Sequence, residues 1–176
     1  MSGSFNPRRL RTARLVLDPV CWTDLADMER LKGDPRAYAM MLGGVLAPAR
    51  VAEEMARDVA LWSREGVGIF TIRRADTGAF CGMTGVHERP DGRGLGLRFA
   101  LVPEAKGRGF AREAAAAALA FTHNEGIERV VAVARESNIA SRGILGGIGM
   151  RVAGQFERDG NPMLLYESIR QPLLRV

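Results

Sequence analysis

Cysteine and histidine are scarce in this chain, with two of each among 176 residues. Cys21 and Cys81 form no Cys-x-x-Cys pair and have no neighbouring histidine, so neither a disulfide framework nor a metal site is expected. Each reads as a buried or half-buried thiol. Aromatic residues amount to only 6%, and none is interleaved with the N-terminal basic cluster Arg8, Arg9, Arg11 and Arg14. A nucleic-acid arm would lack its stacking platform, so residues 1–13 read as a flexible, solvated basic leader and nucleic acid is not an expected partner. Long apolar runs are absent too: the longest, Ala114 to Phe121, falls far short of the ~20 residues that span a bilayer. No charged-then-apolar signal opens the chain. These absences point to a soluble, cytoplasmic protein with no membrane partner.

What is present suits one domain over residues 1–176, since 47% of the residues are hydrophobic and can fill a substantial core. The 25 Lys and Arg exceed the 20 Asp and Glu by five, which favours anionic partners without choosing among them. No feature supports or excludes a homodimer.

The pattern of apolar residues orders the elements. Arg14 to Pro19 reads as a strand, and Thr23 offers an N-cap for a short helix carrying Leu25, Met28 and Leu31. Val51, Met55, Val59 and Trp62 put one apolar stripe on a helix from Pro48 to about Arg64, closed by Gly66. The period then drops to two. Val67 to Arg73, Ala79 to Val86 and Leu95 to Val102 form an antiparallel meander with turns at Asp76 to Gly78 and Pro90 to Gly92. A helix from about Gly109 to Glu125, apolar nearly all round, precedes the continuous apolar run Arg129 to Ala134, which reads as a strand covered on both faces. Together they make a βαβ crossover. A glycine-weakened helix opens at Ser137, Asn138 and Ser141, and two strands, about Met150 to Arg158 and Met163 to Arg170, end the chain. The fold class is α/β: a mixed sheet of six to seven strands, antiparallel at first, with a central βαβ unit, a C-terminal hairpin and helices on both faces.

The stretch VPEAKGRGFARE at Val102 to Glu113 joins a strand to a helix through two glycines and three basic residues. The first N–H groups of that helix are unpaired and face the sheet's C-terminal edge. Gly107 and Gly109 would let amides turn toward an anion, and Lys106, Arg108 and Arg112 add charge, a geometry that suits a pyrophosphate. A glycine-rich helix start without a ligand satisfies the same spacing. A Walker loop is excluded, because Lys followed by Ser or Thr is missing at the required place. The runs GRGLG and GILGGIG stand in the wrong order between strand and helix for a dinucleotide fingerprint.

VPEAKGRGFAREA, followed by ARESNIASRGILGGIGM, resembles the acetyl-CoA signature of the GNAT superfamily of N-acetyltransferases, and especially its ribosomal-protein N-terminal acetyltransferase branch. That loop runs Arg or Gln, two residues, Gly, one residue, Gly or Ala; Lys106, Gly109 and Ala111 take those places, Lys106 being a departure that keeps the charge. The later Asn element is matched by Asn138, Ser141, Gly149 and Met150. The resemblance runs through nearly the whole chain and is strongest from Leu97 to Met150.

The resemblance implies direct transfer of acetyl from acetyl-CoA to a primary amine, on a small molecule or a peptide N-terminus, without a metal. The cofactor's pyrophosphate would lie on Gly107, Arg108, Gly109, Phe110, Ala111 and Arg112, beside Lys106. Its pantetheine arm would pair with Phe99, Ala100, Leu101 and Val102, where a bulge near Arg98 and Phe99 would splay the strand. Asn138 would hydrogen-bond the arm, Ser141 would face the sulfur, and a backbone N–H such as that of Leu101 would hold the oxyanion. Both Asn138 and Ser141 also suit the cap of a helix. Two usual features are missing: Leu145 stands where relatives place a proton-donating Tyr, and Gly96 where the branch often carries an acid. Ser141 is then the candidate proton donor, with Glu88 and His87 as candidate bases, each of which also reads as an ordinary residue at a strand end. His123 reads as a helix-capping cation or a bystander. A non-catalytic acyl-CoA-binding or regulatory module stays open beside the enzyme. The acceptor is unread; Met40, Met41, Leu42, Trp62 and Tyr166 suit pocket walls or, better, plain core.

Overall fold

The computed structural model describes residues 6–172. An eight-stranded mixed sheet holds the chain together, in the order β1-β2-β3-β4-β5-β6-β8-β7. Its strands are β1 (Leu10–Arg11), β2 (Leu15–Pro19), β3 (Ile69–Arg74), β4 (Phe80–Glu88), β5 (Leu95–Leu101), β6 (Arg129–Arg135), β7 (Arg151–Arg158) and β8 (Asn161–Ile169). Every pairing is antiparallel except that of β5 with β6. The helices are α1 (Leu25–Lys32), α2 (Pro35–Tyr38), α3 (Pro48–Glu65), α4 (Phe110–Asn124) and α5 (Ile139–Gly147). None of the described helices is long and apolar enough to cross a membrane.

The strand beyond the expected six to seven is β1. Residues 1–5 lie outside the described part, but the rest of the stretch expected as a flexible leader is tied down. Leu10 and Arg11 pair with Leu17 and Val16. Arg9 Nε reaches Asp18 Oδ1 at 2.7 Å, and Arg8 Cζ lies 5.7 Å from the Trp62 ring centre. Arg14 Nε binds Glu113 Oε2 at 2.8 Å, fastening β2 to the first turn of α4. Arg8, Arg9 and Arg14 are structural ties.

Three further expectations change locally. Thr23 does not cap the first helix: Asp24 Oδ2 accepts from Cys21 N–H at 3.0 Å, closing a 3-10 turn at Trp22–Asp24 that leads into α1. Cys21 is exposed, whereas Cys81 is buried. The four residues of α2 carry too short an apolar pattern to be read; Pro35 at its start and the Asp34 side chain, which accepts from Arg36 N–H at 2.9 Å, make it.

Side-chain alternation assigns the helices to faces. Met83, Gly85 and His87 of β4 share a face with Gly96, Arg98 and Ala100 of β5, because these residues stand opposite one another. Ion pairs from Arg98 and Arg73 run from this face to α3 and α1. On the other face Val86 and Leu97 join Ala115 and Leu119 of α4 in one apolar cluster with Val130, Ala132 and Leu145. The small residues of α4 explain its close seat, as Ala114, Ala115 and Ala118 are each 0% exposed.

Candidate active site

The parallel pair β5 and β6 is where the sheet opens. The two strands are in register only at Gly96 opposite Val131, near the start of each, and no further pair follows toward their C-terminal ends. The expected bulge near Arg98 and Phe99 is absent, since β5 keeps unbroken register with β4 from Leu95 to Leu101. Divergence from β6, rather than a bulge, frees the edge.

The register decides which groups are free. Val102 N–H donates to Cys81 O at 2.9 Å, so these two residues form a hydrogen-bonded pair. In an antiparallel ladder such pairs alternate. Ala100 and Arg98 therefore also turn their main chain toward β4, while Phe99 and Leu101 present theirs to the opening. This corrects the expectation for Ala100 and Val102: of the four strand residues expected to pair with an extended arm, only Phe99 and Leu101 can do so.

Beyond β5, a 3-10 turn at Pro103–Ala105 and the KGRG loop lead into α4. Gly107 and Gly109 both have φ of 78°, a left-handed conformation open to glycine and strained for other residues. Among the described residues the N–H groups of Gly107, Arg108 and Gly109 donate no hydrogen bond. They stand at the N-terminus of a 15-residue helix, whose dipole adds positive potential. The loop's basic side chains are partly engaged. Lys106 Nζ donates to Arg36 O at 2.5 Å, and Arg112 Nη2 donates to Gly147 O at 3.0 Å. Phe110 is a core residue with the Arg14 guanidinium 4.7 Å from its ring centre, and can offer a ligand only its backbone. Free amides on a left-handed loop, next to a free strand edge, fit a diphosphate with an extended arm.

A cleft of about 100 Å³ passes through the opening. Phe99, Ala132, Ala134, Asn138, Ser141 and Leu145 line it from the α4 side, and Tyr38, Met40, Met41, Leu42, His87, Arg89 and Arg98 line it from the side of α1 to α3. Asn138 caps α5, its Oδ1 accepting from Ser141 N–H at 3.1 Å. Met40, Met41 and Leu42 are therefore walls of the cleft, whereas Trp62 and Tyr166 are buried core. A roomier groove of about 590 Å³ runs between α4 and the end of β8. It holds none of the expected site residues, and its His123 is spent on Ile127 O at 2.8 Å and Ser168 Oγ at 2.9 Å.

Ser141 is brought to the cleft, but Glu88 is not. Successive side chains of a strand point to opposite faces, so His87 faces the cleft while Glu88 turns away and pairs with Arg64 Nη2 at 2.7 Å. Burial, reinforced by the positive charges of Arg98, Arg89 and Lys32, pushes His87 far below the ordinary histidine range. It is a neutral imidazole and a weak base.

Behind the cleft lies a buried ionic network that the pattern of the chain leaves unread. Arg98 Nη2 meets Asp58 Oδ2 at 2.9 Å and its Nη1 meets Glu54 Oε2 at 3.4 Å, while Lys32 Nζ meets the same Glu54 oxygen at 2.7 Å. The side chains of Lys32, Asp58 and Arg98 are only 2%, 7% and 12% exposed. Burial raises Asp58 above the usual carboxylate range against the pull of Arg98 and Lys32. Burial opposes ionisation of Glu54 as well, but Arg98 and Lys32 outweigh it and hold this carboxyl low. The signal was present: Asp58 sits at helical spacing from Val51, Met55 and Trp62, on the apolar stripe of α3, and Arg98 interrupts the apolar strand β5. A charge on each buried face calls for a partner.

A model of the acetyltransferase (GNAT) domain matches residues 14–151, more than three quarters of the chain. The chain belongs to the GNAT family. No match is found among the curated proteins. Solved structures share the fold over most of the GNAT chain. An acetyltransferase from Agrobacterium tumefaciens str. C58 is 25% identical, with a TM-score of 0.80 over 96% of this chain and 98% of that one. Ribosomal-protein-S5-alanine acetyltransferase from Vibrio fischeri is 13% identical, with a TM-score of 0.76 over 93% and 97%. Spermidine N-acetyltransferase from Vibrio cholerae, solved with CoA and spermine, is 15% identical, with a TM-score of 0.71 over 90% and 97%.

Proposed function

We propose that this GNAT protein is an N-acetyltransferase that uses acetyl-CoA and acetylates a primary amine. The observation that carries the reading is the junction of a free β5 edge, at Phe99 and Leu101, with the unpaired amides of Gly107, Arg108 and Gly109. Lys106 and Arg108 add charge beside those amides, and Asn138 and Ser141 line the cleft together with Phe99. Bound acetyl-CoA supplies an activated thioester acetyl group. The relatives crystallised with CoA and named for amine acceptors support the same reading.

The chain's own groups then have definite tasks. An acceptor nitrogen must be neutral to react, and an α-amino group, with an ordinary pKa of ~8, needs little help. The arginines around His87 lower an amine's pKa further by disfavouring its charged form. Neither Glu88 nor a strongly basic histidine is then required. The Leu101 N–H, directed into the opening, would stabilise negative charge developing on an acyl oxygen. Ser141, on the cleft wall, carries a hydroxyl suited to deliver a proton to a leaving thiolate. The side chain of Leu145, buried in the cleft, can deliver none.

Titration calorimetry tests the donor site. Acetyl-CoA binding is expected, with a loss of about tenfold or more on Gly109→Val, since a β-branched residue at φ of 78° costs at least ~1–2 kcal/mol in the loop conformation. No binding by the unaltered protein overturns the reading. The buried Leu145 and the outward Glu88 also favour a second reading, a non-catalytic acyl-CoA-binding module. Release of thiol with any member of a broad amine panel eliminates it.

A further inference from the structure

We infer that the acceptor amine carries a carboxylate close to its nitrogen, and that Arg89 and Arg98 select it; this rests on the acetyltransferase reading above. Among the described residues the charged side chains lining the cleft are Arg89, Arg98 and Arg135, and no aspartate or glutamate lines it. The nearest carboxylates are already engaged. Asp58 and Glu54 are held by Arg98 and Lys32 from the α3 side, two negative charges against two positive. Asp91 is shared between Arg89 and Arg93, one negative charge against two positive. The acceptor end of the cleft therefore carries a positive excess, and the neutral His87 does nothing to offset it.

One feature shows that the place of Arg89 is built into the cleft, and a second leaves Arg98 with an unmet donor. Gly96 leaves room for Arg89: a Cβ there would lie 2.8 Å from both Cγ and Cδ of the Arg89 side chain and 3.4 Å from His87 Nε2. An acidic side chain at that position would displace the arginine stem from the place where it borders the cleft. Arg98 Nε is buried and has no hydrogen-bond partner among the described residues. A buried charged donor without a partner is costly, and a carboxylate is the acceptor that suits it best.

A polyamine fits this end of the cleft poorly. Its second and third ammonium groups would stand beside arginines with no free carboxylate to receive them. An amine flanked by its own carboxylate brings the missing negative charge, as a free α-amino acid does, or a peptide whose first residue is acidic. The walls of Tyr38, Met40 and Met41 then cover the apolar remainder.

The test is thiol release from acetyl-CoA with matched acceptors: alanine against alaninamide, a tripeptide beginning with Asp against one beginning with Asn, and spermidine. The carboxylate-bearing member of at least one pair is expected to exceed its neutral partner about tenfold or more in kcat/KM, and the pair that responds identifies the source of the carboxylate. Equal rates within both pairs, or spermidine as the best acceptor, overturn the inference and leave the acetyltransferase reading intact. Acetyl-CoA binding without turnover of any amine overturns both. Arg98→Lys keeps the charge but lacks the Nε–H, and Arg89→Gln removes the charge at the other arginine. Each is expected to cut the preference several-fold, Arg89→Gln while melting near the unaltered protein and Arg98→Lys while still melting cooperatively. Unchanged preference in a variant that still melts cooperatively refutes the role given to that arginine.

Discussion

Replacing Arg98 with Met tests whether the buried network holds α3 and β5 together. The Arg98 to Asp58 contact of 2.9 Å corresponds to about 6 kcal/mol of gross attraction at an effective dielectric of ~20. Most of that is offset by the cost of burying both groups. Removing one partner is not offset, because Asp58, 7% exposed, keeps its burial cost and loses its counter-charge. Such a break costs about 3–5 kcal/mol. Lys32 stays with Glu54, so only Asp58 is stranded, and a loss near ~3 kcal/mol at pH 7 is expected from urea denaturation. The loss should depend on pH in a definite direction. Asp58 is already raised above the ordinary carboxylate range by burial, and without Arg98 it rises further. A group whose folded pKa lies above its unfolded value contributes stability below the unfolded value, ~3.9 for Asp, and loses it as pH rises through the folded pKa. The deficit of Arg98→Met should therefore grow from pH 4 to pH 7. Replacing both partners, Arg98→Met with Asp58→Leu, should recover stability to within about 1 kcal/mol of the unaltered protein. A single-variant loss below ~1 kcal/mol, or a double variant as unstable as the single, refutes the account.

Glu88→Gln should leave kcat/KM for the best acceptor within about twofold, since the side chain is engaged with Arg64 on the surface; a hundredfold loss would restore it as a base. Because His87 stays neutral, the pH profile of kcat/KM should show no inflection near the ordinary histidine value of ~6.5 and should rise instead with deprotonation of the acceptor amine. A His87 C2 proton that shifts between pH 6 and pH 7 in an NMR titration would contradict this.

Much of the architecture was legible along the chain because it depends on local rules. The stripe of α3 and its closing Gly66 follow from helical spacing and a left-handed cap with φ of 70°; the turn at Asp159 and Gly160 likewise sets the hairpin of β7 and β8. The loop at Lys106 to Arg112 was visible because glycines and basic residues stand together at a strand-to-helix junction. The two residues of β1 were not legible, since so short a strand has no period to detect and exists only because β2 offers it an edge. That Glu88 turns away from the cleft was hidden for a related reason. Neighbours along a strand point to opposite faces, and which of His87 and Glu88 meets the cleft depends on the register with β5.

The sequence by itself determined the order of elements, the loop at Lys106 to Arg112 and membership of a family that handles an activated acyl group, because backbone conformation and short motifs are local properties. Only the tertiary structure decided that Phe99 and Leu101, rather than Ala100 and Val102, face the opening. It alone also decided that the opening arises from divergence of β5 and β6, and that Lys32, Glu54, Asp58 and Arg98 meet beneath it. Those facts depend on register and on contacts between residues far apart in the chain, which no local pattern encodes. The proposed seat of the donor is written in a single stretch. The cleft proposed for the acceptor is assembled from α2, β4, β5 and the segment after Tyr38, and exists only once the chain has folded.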